Sequence, residues 1–170
     1  MKQHEAERKT STHAYFWNSI YSQWYTTTNQ FVENNIKYNN AESYMMYKKA
    51  LLFNDTEIAQ EILKSNHPGT VKRLGRKIKN FDDQKWNDNK LDIVERANYL
   101  KFTQNPDLLR MLLADKDLIL VEASPQDKIW GIGLHFDDDK VLDENNWNGE
   151  NLLGKCIMNI RNDILNKESE

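Results

Sequence analysis

Leu120-Val121-Glu122-Ala123-Ser124-Pro125-Gln126-Asp127-Lys128-Ile129-Trp130-Gly131-Ile132-Gly133 is the stretch around which the chain is organised. The apolar run from Leu118 to Val121 reads as a short buried strand. It stops at Glu122, bends at Ser124-Pro125 and is expected to resume at Ile129-Trp130. Gly131 and Gly133 allow unusual dihedrals or the close approach of a backbone or a ligand. A loop rich in acids, an aromatic and glycines, carried on a rigid strand, has the composition of a binding loop.

The rest of the chain limits what such a loop can belong to. A length of 170 residues suits one domain with a core of its own. Five Trp, seven Tyr and six Phe argue against disorder. The net charge of −3 gives no general attraction for nucleic acid, so any such contact needs a local basic patch. The single cysteine, Cys156, rules out an internal disulfide and fits a reducing compartment. The polar N-terminal residues have no apolar stretch of the kind a signal peptide needs, and no run is long enough to span a bilayer. A cytoplasmic protein without membrane contact is therefore expected.

Working outward, residues 1–13 read as a flexible tail and residues 14–166 as one α+β, helix-dominated domain with a small β-sheet. The aromatic-rich segment from Tyr15 to Tyr25 reads as strand and loop, and Gln30–Val32 with Asn35–Tyr38 as a hairpin. Asn40 can cap a helix over 41–53, and Asp55 a helix over 56–64. Pro68 suits a first helical position, starting a helix to about Arg76. Asp82-Asp83 opens a long helix to about Thr103, with Leu91, Val94, Ala97 and Leu100 inward, and Asn105-Pro106 starts another to Ala114. A polar loop over 137–146 precedes a last helix, about 151–165.

The residues that can carry chemistry are carboxylates, aromatics and lysines. The four histidines are scattered, no pair has zinc-ligand spacing, and Ser124 has no GxSxG context, so neither a metal site nor a cofactor is expected. Glu42 in a first helical turn complements the helix dipole or serves a site. Lys49, seven residues on, lies on the same helical face, where it is either solvated or functional. Trp86 is a helix-start staple or a stacking platform. Lys72, Arg73, Arg76, Lys77 and Lys79 form a solvated face or a phosphate site. Asp127 and Trp130 are a turn aspartate and a core aromatic, or parts of a site.

At these residues the sequence resembles a known family. Glu42-x-Tyr44-x-x-x-x-Lys49-Ala50, Lys72-x-x-Gly75-Arg76, the isolated Trp86, Lys101-Phe102-x-x-Asn105-Pro106, the Leu120–Gly133 stretch, and Trp147-x-Gly149-x-Asn151-x-Leu153-Gly154 with Met158 and Arg161 occur in the family's order. Together they resemble the NADAR, or YbiA-like, N-glycosidases across about residues 15–165. Ser43 stands where the family often has His, and Ser22-Gln23-Trp24 replaces an early Ser-Asn-aromatic segment.

The resemblance implies a YbiA-like fold and hydrolysis of the bond between a ribose carrying a 5-phosphate ester and an exocyclic amine of a heterocycle. Its substrates would be phosphoribosylamino-pyrimidines of early riboflavin synthesis or ADP-ribosylated guanine in nucleic acid. Cleavage at an anomeric carbon builds positive charge on the sugar, which a carboxylate stabilises while a second carboxyl moves the proton. Glu42 and Asp127 are the implied pair. Lys49 would bind phosphate or capture the opened sugar as a Schiff base. Trp86 and Trp130 would stack on or enclose the heterocycle, Arg76 or Lys72 would hold phosphate, and Gly131 and Gly133 would clear room for the ribose. Asn151 would cap the last helix or belong to an anion cradle at its start. The competing reading is a module that binds ADP-ribose or another NAD derivative without hydrolysing it.

Overall fold

The computed structural model describes residues 6–170, which divide into two compact units, residues up to Tyr25 with Asp107–Glu170, and Thr26–Pro106. Together they carry the expected helix-dominated α+β content.

The first unit is built on a three-stranded sheet. Strands β1 (Ala6–Lys9) and β2 (His13–Asn18) pair antiparallel, and the later strand β5 (Ile119–Glu122) pairs parallel to β2, with Ala14 opposite Leu120 and Phe16 opposite Glu122. Ala14, Tyr15 and Phe16 are buried in succession, so both faces of β2 are covered. Tyr15, Val121, Ala123, Ile132 and Val141 form one core cluster, against which Leu134, Phe136 and Trp147 pack. The unit also contains α5 (Pro106–Ala114, entered from the unit boundary), two short 3-10 turns (Asp139–Leu142 and Glu144–Asn146) and α6 (Leu152–Glu168), which packs against β5.

The second unit begins with the hairpin β3 (Phe31–Glu33) and β4 (Ile36–Tyr38). Asn34 and Asn35 join them with φ of 50° and 65°, the left-handed conformation that two-residue hairpin turns require and Asn tolerates. Four helices follow: α1 (Ala41–Leu52), α2 (Thr56–Lys64), α3 (Pro68–Gly75) and α4 (Asp83–Thr103). Their starts are fixed locally. Asn40 accepts from the Ser43 N–H, Asp55 from Ile58, His67 from Thr70 and Asp82 from Lys85, each capping its helix. Helix α1 packs against α2, α3 and α4, and every residue from Ala41 to Tyr47 is buried. A helix buried on all sides lies at the centre of its unit. Gly75 permits the close α1–α3 contact, since a Cβ there would meet the Met46 side chain.

Four expectations change. Residues 6–9 are a strand, not a tail, while residues 1–5 lie outside the described residues. The strand escapes a hydrophobic-pattern reading because its side chains make charge pairs, Lys9 with Asp115 and Arg8 with Asp139. Ile129-Trp130 is a bend rather than a resumed strand, because its carbonyls serve α6, as described below. Leu91 is 40% exposed, whereas Val94, Ala97 and Leu100 are buried as expected. The last helix continues to Glu168. No helix among the described residues is long and apolar enough to cross a membrane.

Candidate active-site residues

In the second unit, α1 presents Glu42 and Lys49. Glu42 is 5% exposed in the first turn, where its charge complements the helix dipole, so the bland reading holds without excluding the other. Lys49 is half-buried. Its Nζ lies 3.4 Å from the Gly75 carbonyl oxygen, 4.8 Å from the centre of the Phe81 ring and 5.4 Å from that of Trp86. Burial pushes its pKa down, and the negative charge of Glu42 opposes the shift without cancelling it. Lys49 is thus not the solvated lysine that composition favours. The structure brings together Lys49 and Trp86, and couples Lys49 to Glu42 through charge. Trp86 is half-buried at the start of α4.

Lys72 and Arg76 are exposed, as are Arg73, Lys77 and Lys79. They form a solvated basic face on α3 and the segment after it. A cavity of about 600 Å³ in this unit has Phe53 in its wall and Asn80, Asp82 and Lys85 among its polar lining, but none of the sequence-predicted site residues.

In the first unit, the motif residues are engaged in holding the loop together. The Asp127 Oδ1 accepts from the N–H groups of Ile129 and Trp130 at 2.9 and 2.8 Å, so the turn-aspartate reading is realised. Gly131 permits a close backbone approach: a Cβ there would stand 2.8 Å from the Glu122 carbonyl oxygen and 3.0 Å from that of Asp127. Gly133 has φ +70° and lies against the Asn148 carbonyl. Trp130 is half-buried in the bend that this packing forms.

Asn151 is the largest departure. It stands at the N-cap position of α6, but its side chain is turned to β5 instead of capping the helix. It has left-handed φ, makes no capping bond, and is buried. Its Oδ1 accepts from the Glu122 N–H at 2.9 Å and its Nδ2 donates to the Leu120 carbonyl at 3.0 Å. The Leu120 N–H donates to the Met158 sulfur, and the Ile132 N–H to the Glu122 carbonyl. The edge of β5 away from β2 is thereby closed by side chains and loop backbone. The N–H groups at the start of α6 are also occupied: Glu150, Asn151, Leu152 and Leu153 donate to the carbonyls of Lys128, Gly131, Ile129 and Trp130. Arg161 donates from Nη1 to the carbonyls of Asp115 and Leu118, fixing the turn that leads into β5.

Three features escaped the sequence reading. Glu33 joins the hairpin to two helices, accepting from the Tyr44 hydroxyl at 2.8 Å and Arg96 Nε at 2.7 Å and pairing with Lys48 at 3.3 Å. Although its desolvation acts the other way, these partners hold its carboxyl below the usual range. Its partners are too far apart in sequence to be read as a set. Lys101 is fully buried, and burial pushes its pKa down to about 7. Its signal was present, since Val94, Ala97, Asn98 and Lys101 follow one helical stripe. Phe81, 44% exposed beside Lys49, sits just before the Asp82 cap, where an apolar residue is ordinary. Among the described residues no group of three or more His, Cys, Asp or Glu is arranged to hold a metal ion.

The model of the NADAR domain family matches residues 7–165. The chain belongs to the NADAR family. It is 45% identical over 149 residues to "N-glycosidase R617" of Acanthamoeba polyphaga mimivirus, covering 84% of this chain and 85% of that protein. It is 35% identical over 113 residues to the chloroplastic "Riboflavin biosynthesis protein PYRR" of Zea mays, covering 64% of this chain but 16% of that longer protein. The NMR structure of Escherichia coli YbiA superposes with a TM-score of 0.77 at 22% identity, covering 99% of this chain and 94% of that one, which bears out the expected fold. The relatives' names bear out the expectation of an N-glycosidase.

Proposed function

We propose that this NADAR enzyme hydrolyses the bond between the anomeric carbon of a ribose 5-phosphate ester and an exocyclic amine of a heterocycle, with Lys49 as nucleophile and Glu42 as its proton-transfer partner. The carrying observation is the Lys49 amine, desolvated beside Trp86 with the Glu42 carboxylate acting on it from the same helical face. A lysine meant only as a phosphate-binding charge gains nothing from a lowered pKa, whereas a nucleophilic lysine needs its neutral form.

The steps follow from the bond being broken. A ribosylamine opens to an imine at C1. The neutral Lys49 amine adds at that carbon, and the heterocyclic amine leaves carrying a proton from a carboxyl group. Water then adds to the Lys49 imine and releases the sugar, returning the lysine. Glu42 moves protons in these steps. Asp127 is the second carboxyl group that the family motif implies, and its Oδ1 braces its own loop. Trp86 stacks on the heterocycle, and Arg76 or Lys72 meets the phosphate. A module that only binds ADP-ribose has no use for a desolvated amine.

The test is a side-by-side assay with a phosphoribosylamino-pyrimidine and ADP-ribosylated guanosine, reading released sugar by mass spectrometry. Release from at least one is expected. Binding of ADP-ribose with no release from either supports the non-hydrolytic reading instead.

A further inference from the structure

We propose that Phe81 is a positioning residue for Lys49, a half-exposed aromatic shield that keeps water from the amine and holds it beside the Gly75 carbonyl. The proposal rests on the nucleophile reading of Lys49.

The geometry starts with the connection between α3 and α4. Asn80 adopts a left-handed φ of 61°, which turns the chain immediately before Phe81. The Lys79 N–H just upstream donates to the Asp55 Oδ2 at 2.9 Å, tying the connection to the start of α2. Downstream, Asp82 caps α4. The Phe81 backbone is therefore fixed on both sides. Its ring rests on the buried Phe53, with centroids 5.2 Å apart and planes at 57°, an edge-tilted aromatic contact. The Lys49 Nζ lies 4.8 Å from the centre of the Phe81 ring, nearer than the 5.4 Å to that of Trp86.

An aromatic left 44% exposed contributes less to a core than a buried one. What this ring does cover is a lysine amine. The other groups around that amine come from α1, α3 and α4. Glu42 of α1 supplies the acting charge, α3 supplies the neutral Gly75 carbonyl, and α4 supplies Trp86. At the start of α2, the Asp55 carboxylate is taken up by the N–H groups of Ile58 and Lys79. Lys85, also on α4, faces the other aromatic of the pair at 5.9 Å from the Phe53 ring. Two influences of the ring oppose each other. Its π face attracts the charged amine, and its bulk removes water that the charged form needs. The pKa of Lys49 is lowered, so desolvation outweighs the rest. Removing the ring lets water in and returns the amine towards ordinary lysine behaviour, leaving less of the neutral nucleophile at neutral pH.

The experiment measures Lys49 itself. The folded protein is labelled with a small amine-acylating reagent across a pH series, and the Lys49 peptide is quantified by mass spectrometry. In Phe81→Ala the midpoint should move up by about one pH unit, with labelling at neutral pH about tenfold lower. The turnover profile should move with it, so that activity lost at neutral pH returns at alkaline pH, which a merely structural defect does not produce. Phe81→Met, which keeps the bulk without the ring, should stay near the native midpoint and covers the case in which the alanine variant folds poorly. An unchanged Lys49 midpoint in folded Phe81→Ala, or a Phe81→Met midpoint raised as far as that of a folded alanine variant, overturns the shield. Full turnover in Lys49→Ala would instead remove the nucleophile reading, while the labelling shift would still report on Phe81.

Discussion

Helix α1 and the loop from Glu122 to Gly133 both stand out in the sequence as polar residues set among apolar ones, and the structure uses them differently. In the loop, polar groups are occupied by the fold. Asp127 Oδ1 binds two N–H groups, Asn151 bridges Leu120 and Glu122, and the carbonyls of residues 128–131 receive the N–H groups at the start of α6. In α1, Lys49 is held against aromatic rings and a carbonyl with its charged form disfavoured. A family motif can therefore consist of architecture in one segment and of reacting groups in another. Side-chain chemistry alone does not separate the two, because Asp127 and Glu42 are equally good carboxylates until their neighbours are known.

The largest effect that can break this contrast is expected at Glu42. Glu42→Gln should cut turnover about a thousandfold, or ~4 kcal/mol of transition-state stabilisation, while circular dichroism and the unfolding midpoint stay near those of the native protein. Near-native turnover would remove the reactive role of α1. Next comes Gly154, whose added Cβ would lie 2.1 Å from the Leu120 carbonyl oxygen. Gly154→Ala should cost about 3 kcal/mol in denaturant unfolding, since the Leu120 backbone and the Asn151 amide bonded to Leu120 and Glu122 leave little to yield. Asp127 sharpens the comparison because its two roles separate. Asp127→Ala should lower stability by about 1–2 kcal/mol through loss of the bonds to Ile129 and Trp130, and Asp127→Asn should restore most of it by keeping the accepting oxygen. Both variants should lose turnover if Oδ2 carries the second carboxyl role. An active, stable Asp127→Asn would confine Asp127 to architecture.

The pH-dependent effect concerns Lys101. Its folded pKa of about 7 lies below the ordinary lysine value of 10.5, so between them the unfolded chain holds the extra proton. Stability contributed by this group rises with pH across that window, by at most about 1.4 kcal/mol per pH unit, while below it both states are charged and the full cost of burial remains. Lys101→Met should flatten the pH dependence of the unfolding free energy between pH 7 and 10. An unchanged slope would mean that the ammonium is not desolvated as its burial implies.

What was legible in the sequence is what local physics decides. The caps at Asn40, Asp55 and Asp82, and Pro68 at a helix start each depend on residues within a few positions, and the helices begin where these residues place them. The family motifs supplied the fold and the N-glycosidase chemistry. Long-range pairings stayed out of reach. Nothing near Asn151 in sequence says that its amide will close the edge of β5, and nothing near Glu33 announces Arg96. Charged β1 read as a tail because its partners, Asp115 and Asp139, lie over a hundred residues away. Gly131 and Gly133 prove to be where backbone meets backbone.

The central claim is that the Lys49 amine forms a covalent bond to the sugar, and borohydride reduction during turnover tests it most directly. Intact-protein and peptide mass spectrometry should find a reduced sugar adduct on the peptide containing Lys49, absent from Lys49→Arg and from reactions without substrate. Product accumulating under the same conditions with no adduct on Lys49, or an adduct that persists elsewhere in Lys49→Arg, would contradict it.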